Sequence, residues 1–307
     1  MMGPSRSPRV KVRFPAARTE VFPPFSCRRV WVGEFFTLKG RNQPMTDILQ
    51  HIVETKVGEI EAAKRRMPEA KLKELAAERD PMRPFAENLL RVNRHGTGII
   101  AEIKRASPSR GIICADLDAA DYAARYEAGG AAAVSVLTDA SYFKGNLSDL
   151  KQARRACLLP VLRKEFIISP YQIYESAAAG ADAVLLIARI LKEAVLSYFI
   201  SLCDVVGLEA LVEIHDEKDL DTATASGAKL ICINNRDLKS FKTDISVATR
   251  LVSLLEPTQI PIAASGIVTR DDVKRTKNAG INNFLIGESL VRAKHTVAFL
   301  RYLLTEC

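Results

Sequence analysis

The sequence predicts an α/β protein, a closed (β/α)8 TIM barrel with an N-terminal helical extension. Three observations carry that prediction. Short β-branched runs recur from residue 99 onward, each is followed by an alanine-rich helical pattern, and the runs number eight. Strand–helix alternation makes a parallel sheet, because parallel neighbours need a crossover connection. Eight such units within roughly 210 residues suit closure into a barrel better than an open sheet.

Taken in order, the chain opens on 44 residues that hold six of the 14 prolines and show no sustained helical or strand period. They read as disordered or weakly ordered. Three origins stay open: an extension misassigned upstream of a true start at Met45, an organelle transit peptide, and a functional basic arm. An Arg-rich, acid-poor composition suits a transit peptide, but no long amphipathic helix accompanies it. Met45 introduces a well-patterned helix, with Ile48, Ile52, Val57 and Ile60 apolar and Thr46 and Asp47 as candidate caps. Residues 45–307 are therefore expected to form one barrel domain. Its leading helices, at about 46–91, should pack across one mouth of the barrel, and the sequence does not select which.

The eight strands are read at 99–104, 132–137, 160–164, 183–187, 210–214, 230–234, 260–264 and 283–286. Helical stretches such as 118–128, 170–179 and 269–279 lie between them. Several end in a glycine suited to a left-handed cap: Gly129, Gly180, Gly227 and Gly280.

Composition bounds the function. With 48% hydrophobic residues the chain can bury one large core, and it has no apolar run approaching the ~18 residues of a membrane span. Of the net charge of +8, residues 1–44 carry +7, from nine cations and two acids. The body is nearly neutral, so a phosphate-backbone footprint for nucleic acid is missing from it. The six cysteines form no C-x-x-C pair and match no zinc pattern. A reducing cytoplasm is the simplest setting, with organellar import through residues 1–44 as the minor alternative.

In barrels of this class the active site lies at the C-terminal ends of the strands. Polar residues concentrate there. The first strand ends in Glu102-Ile103-Lys104 and runs into Arg105-Ala106-Ser107-Pro108-Ser109-Arg110-Gly111. The third ends in Arg163-Lys164-Glu165-Phe166, the fifth in Glu213-Ile214-His215-Asp216 and the sixth in Asn234-Asn235-Arg236-Asp237. The seventh ends in Ala264-Ser265-Gly266-Ile267 and the eighth in Gly287-Glu288-Ser289. One charged strand end is usually a solvated rim residue. Six aimed at one mouth are hard to explain by solvation.

Ser265-Gly266 and the Gly287-x-Ser289 pair leave bare backbone N–H groups at loop and helix starts, a cradle for a phosphate. Either alone could be an ordinary turn; together, in neighbouring loops, they point to a phosphorylated substrate. Glu102 and Lys104 stand two apart on a strand and project to one side, as a structural ion pair or as chemistry. Lys164 and Glu213 can reach the same cavity and act as general acid and general base. His215 lies already in the loop, where a solvated or capping role is the plainer expectation.

At these residues the sequence resembles the indole-3-glycerol-phosphate synthase family. Ile100-Ala101-Glu102-Ile103-Lys104-Arg105-Ala106-Ser107-Pro108-Ser109 is similar to its first-strand signature. Matches follow in order at Leu137-Thr138, Tyr142-Phe143-Lys144-Gly145, Leu162-Arg163-Lys164-Glu165-Phe166, Val212-Glu213-Ile214-His215, Ile233-Asn234-Asn235-Arg236-Asp237-Leu238, Ser265-Gly266-Ile267 and Leu285-Ile286-Gly287-Glu288-Ser289-Leu290. The likeness spans about Met45 to Leu304, and residues 1–44 match nothing in it.

The resemblance implies a carboxy-lyase of tryptophan biosynthesis that needs neither cofactor nor metal. Its substrate would be the phosphorylated anthranilate sugar 1-(2-carboxyphenylamino)-1-deoxyribulose 5-phosphate. It also implies no nucleic-acid or membrane partner and a monomer or weak homo-oligomer. By the same resemblance Lys164 is the general acid, Lys104 holds the anthranilate carboxylate and shares acid duty, and Glu213 is the general base. Glu102 and Asn234 orient substrate hydroxyls and the lysines. Ser107, Ser265, Gly266, Gly287, Glu288 and Ser289 bind phosphate. Pro108, Phe143, Phe166 and Leu185 wall the ring slot, and Arg236 steadies the mouth.

Three positions depart from the family pattern: Glu165 stands for the usual Asp, Cys232 for a common Gly, and Ala264 for a Glu. The last removes an acid that a strand-7 position would add to a ring made by strands 1, 3 and 5. Two rival readings follow, a catalytically impaired barrel kept as a partner subunit and another phosphate-binding barrel such as phosphoribosylanthranilate isomerase. The first-strand set argues against the second, and retention of Lys104, Lys164 and Glu213 against the first.

Overall fold

The computed structural model describes residues 48–91, 96–237 and 241–305. The expectations for residues 1–44, and for Thr46 and Asp47 as caps, lie outside the described residues. Eight parallel strands close into a barrel in sequence order: β1 (Gly98–Ile103), β2 (Ala133–Leu137), β3 (Val161–Lys164), β4 (Ala183–Ile187), β5 (Glu209–Ile214), β6 (Leu230–Asn234), β7 (Ile260–Ala264) and β8 (Asn283–Ile286), with β8 pairing back onto β1. Every strand bound falls within one residue of its expected place. Strands β1, β2, β4, β6 and β8 are buried along their whole length. That is why the sequence shows continuous β-branched runs: one face fills the barrel and the other lies under helices.

Three leading helices precede the barrel, α1 (Ile48–Arg66), α2 (Glu69–Ala77) and α3 (Phe85–Leu90). Around the barrel follow α4 (Ala119–Gly129), α5 (Leu147–Ala156), α6 (Pro170–Ala179), α7 (Glu193–Val206), α8 (Glu217–Ala225), α9 (Ser246–Leu251), α10 (Arg270–Asn278), α11 (Glu288–Arg292) and α12 (Thr296–Leu304). Their starts are chemically marked. Asp118 accepts from the backbone N–H groups of Ala120 and Asp121, and capping boxes join Ser169 to Gln172 and Thr269 to Asp272. At the end of α4 the expected cap shifts by one: Gly129 is the last helical residue and Gly130, at φ +92°, is the left-handed one. Gly129 stays small because a Cβ there would meet Leu300 Cδ2 at 2.7 Å.

The leading helices reach both mouths of the barrel. At the N-terminal end of β5, Glu209 accepts from the backbone N–H groups of Phe85 (2.8 Å) and Ala86 (3.0 Å), tying the start of α3 to the lower mouth. Nearby Asp182, fully buried just before β4, accepts from Arg83 N–H and Val161 N–H, both at 2.8 Å, and pairs with Arg154. Helix α2 packs along α6. Helix α1 crosses to the opposite mouth, where Ile48, Leu49 and Ile52 face the cavity described next. Among the described residues no helix is long and apolar enough to cross a membrane.

Candidate active site

A cavity of about 510 Å³ opens at the C-terminal ends of the strands. Its lining contains all sixteen residues singled out from the sequence. Strand ends supply the charged ones, because alternate residues of each strand point inward and the last inward residue meets the cavity. One placement differs from expectation: β1 ends at Ile103, so Lys104 follows the strand instead of closing it. Its ammonium still turns back to Glu102, 2.7 Å from Oε1.

The charges form a chain across the barrel. Glu102 bridges both lysines, with Oε2 4.0 Å from Lys164 Nζ. Lys164 Nζ lies 3.4 Å from Glu213 Oε2, and Asn234 Nδ2 donates to Glu213 Oε1 at 3.2 Å. Burial disfavours the Lys164 ammonium, but Glu213 and Glu102 outweigh that and push its pKa up, so it is a proton carrier at neutral pH. Burial likewise raises the Glu213 carboxyl, yet Lys164, His215 and Asn234 overcome it and hold Glu213 below the ordinary carboxylate range. Glu213 is thus an ionised acceptor. Asn234 meets this carboxylate directly, and its Oδ1 accepts from Arg236 N–H at 3.0 Å. Through Glu213, which pairs with Lys164, the Asn234 amide is linked to the lysine it was expected to orient.

Cys232 sits next to Glu213 in the strand register. Burial pushes its thiol far up, so it stays a neutral filler beneath the ion pair.

In the same lining, the loops after β7 and β8 bring backbone to the cavity. Ser265 (φ +67°) and Gly266 (φ +80°) both take the left-handed region, turning successive N–H groups to one side. A Cβ at Gly266 would meet Thr243 Cγ2 at 2.6 Å, and one at Gly287 would run into the Glu102 carboxylate. Ser289 donates to the Ile267 carbonyl at 3.3 Å and stitches the two loops together. Phe143 and Phe166 pack with ring centroids 6.0 Å apart and tilted by 37°; with Pro108 and Leu185 they give the cavity an apolar wall. Ser107 and Ser109 lie in the hairpin after β1, and Arg236 donates to Ser109 Oγ at 2.6 Å, joining the loops after β1 and β6.

A lysine–glutamate pair, an apolar slot and a backbone nest in one cavity suit an anionic, aromatic substrate. Comparison with known proteins agrees. Residues 49–303 match the family described as "Indole-3-glycerol phosphate synthase". The curated indole-3-glycerol phosphate synthase of Desulfosudis oleivorans is 71% identical over 262 residues, 85% of this chain and 100% of that protein. That of Syntrophobacter fumaroxidans is 50% identical, covering 84% of this chain and 98% of its own length. The chain belongs to the indole-3-glycerol phosphate synthase family. A solved thiamine phosphate pyrophosphorylase from Pyrococcus furiosus shares the fold alone, with a TM-score of 0.51 at 12% identity over 68% of this chain and 95% of that one.

Within this family member, two parts of the site escaped the sequence reading. Lys56 of α1 is buried, with its ammonium 2.7 Å from Asp139, 2.7 Å from Glu59 and 3.0 Å from Glu165. Asp139 accepts from the N–H groups of Tyr142 and Phe143 (2.6 and 3.0 Å), so this hub sets the loop that carries Phe143. A signal existed: Lys56 falls on the buried stripe Leu49, Ile52, Val53, Ile60, where a solvated lysine has no place. Arg110 and Arg292 line the cavity beside Glu288, at 3.5 and 3.2 Å from its Oε1. The solvated or capping role expected for His215 is wrong. Its side chain is only 4% exposed, and the cap of α8 is Asp216, which accepts from Asp219 N–H.

Proposed function

We propose that the cavity binds 1-(2-carboxyphenylamino)-1-deoxyribulose 5-phosphate and closes its indole ring, with Lys164 as general acid and Glu213 as general base. The chain is a lyase of tryptophan biosynthesis, as its family and its 71%-identical relative are. The observation that carries the role assignment is the Lys164 ammonium held between Glu213 and Glu102 in one cavity with the backbone nest.

The chemistry follows from charge. Phosphate rests on the N–H groups of Ser265, Gly266 and Gly287 with Ser107, and Ser289 supports their loops. Glu288 belongs to this end through its backbone, and Arg236 braces the mouth. The anthranilate ring lies against Phe143, Phe166, Leu185 and Pro108, its carboxylate towards Lys104. Lys164 protonates the ketone oxygen, which makes the ketone carbon electrophilic. The ring carbon bearing the carboxylate attacks, and the nitrogen becomes an iminium that draws in the electrons of the C–CO2 bond. CO2 leaves and the ring regains its aromaticity. A second proton lets the hydroxyl depart as water, and Glu213 removes the C–H proton that completes the indole. Two protons enter and one leaves, matching the loss of a carboxylate as neutral CO2. Confining ring carbon and ketone together supplies the entropic share of the rate.

We place the protein in the cytoplasm, a reading supported by the free thiols Cys114, Cys157, Cys203 and Cys232.

The test is to give the full chain the synthetic substrate and follow indole fluorescence and CO2 together. Equimolar appearance of both supports the reading; substrate consumed without indole contradicts it.

A further inference from the structure

His215 packs against Glu213, is buried, and is absent from the cavity lining. Its Nε2 faces Glu213 Oε1 at 3.4 Å and its Nδ1 faces Asp219 Oδ2 at 3.5 Å. Neither nitrogen has a hydrogen-bond partner at these distances, although both are buried. Leaving such groups unmatched is costly, so the ring is held where only small movements complete its bonds.

What holds the ring is specific. Asp219 accepts from His215 N–H at 3.0 Å and from Arg189 Nε at 3.1 Å. Arg189 in turn donates to Asp216 Oδ2 at 2.6 Å. Asp219 is thus kept anionic: burial raises its carboxyl, but His215 and Arg189 outweigh that. The groups around the ring are Glu213 on β5, Asp219 on α8, and Arg189 in the turn after β4, with Lys164 and Asn234 also against Glu213.

Glu213 has three polar neighbours, and two of them line the cavity. Lys164 and Asn234 both meet the substrate's space, so a bound substrate competes for them. His215 is shielded, and its contact survives when the others are engaged. We propose that His215 is a positioning residue for Glu213: held at its backbone N–H by Asp219, and with an N–H on each ring nitrogen facing a carboxylate, it donates from Nε2 to Glu213 Oε1 and keeps that carboxylate turned towards the reacting carbon. This rests on Glu213 being the base.

The experiment measures kcat and KM of the full chain as His215→Leu, His215→Gln, Glu213→Gln and the double variant His215→Leu/Glu213→Gln, with thermal melting for each. A misplaced reacting group costs about 10²-fold. His215→Leu is therefore expected to lower kcat by about that factor with KM within a few-fold, and His215→Gln, which keeps an N–H donor, to recover part of it. In the Glu213→Gln background, His215→Leu is expected to change the residual kcat no further, because its effect passes through Glu213. A residue that serves folding alone would cut both backgrounds alike. Should His215→Leu fail to fold, Asp219→Asn, which loosens the ring, is expected to show the same kcat loss in smaller degree. Unchanged kcat in the His215 variants, or equal losses in both backgrounds, overturns the inference. If Glu213→Gln itself turns over normally, the base assignment fails instead, and the inference falls with it.

Discussion

The two mouths of this barrel each bury a cluster of charge, and they are built to opposite ends. At the lower mouth, each Asp182 oxygen accepts from a backbone N–H, and Arg79, Arg83 and Arg154 spend their remaining donors on the carbonyls of Ala181, Gly207, Cys157, Leu159 and Pro81. At the upper mouth, Glu102 Oε2 is left unmatched, and the lysines face a cavity. A cluster whose bonds are complete is structure. One that keeps charge in reserve at a cavity is available to a substrate.

The sharpest way to break this contrast is to remove one carboxylate from each mouth. Glu213→Gln is expected to lower kcat by about 10²–10⁴-fold while melting stays near wild type, since loss of a general base costs that much. Asp182→Ala is expected to do the reverse. It strands buried arginines and costs about 3–5 kcal/mol in denaturant unfolding, with kcat unchanged for the folded fraction. Next in size, Lys104→Ala is expected to raise KM by about 10–100-fold, the worth of one charge-assisted bond, measured by steady-state kinetics. Ala264→Glu is expected to raise kcat several-fold by restoring an acid to the ring beside Asn234. An unchanged or lower kcat there shows that the apolar strand-7 place is no defect.

The smallest effect separates the mouths by pH. Asp219 at the upper mouth sits below its ordinary range, so the stability it adds is complete above about pH 4 and drains away as pH falls through its lowered value. Asp182 at the lower mouth is raised, chiefly by burial, so it binds a proton more tightly folded than unfolded and gains stability as pH falls. Melting curves between about pH 3 and 6 should therefore fall less steeply in acid for Asp219→Asn and more steeply for Asp182→Asn. Parallel slopes would remove the distinction.

The barrel was legible because its strands are buried on both faces, which writes them as unbroken β-branched runs such as residues 183–187 and 230–234. The cavity was legible because barrel geometry sends strand ends to one place, so Glu102, Lys164, Glu213 and Asn234 could be gathered without coordinates. Contacts between distant segments were not. Nothing local to Lys56 names Asp139 or Glu165 as its partners, and nothing in Glu209 announces that it holds the start of α3. Nor does position say that His215, one residue past a strand, turns inward. The shift from Gly129 to Gly130 is of another kind: two adjacent glycines are locally equivalent, so the sequence does not say which of them takes the left-handed cap.

The central claim is that Lys164 delivers the proton that starts ring closure. The most direct measurement is indole formation at saturating substrate by Lys164→Gln, folded by circular dichroism, beside the wild-type chain. The account predicts turnover lower by at least about 10²-fold with the fold retained. Turnover within twofold of wild type would contradict it.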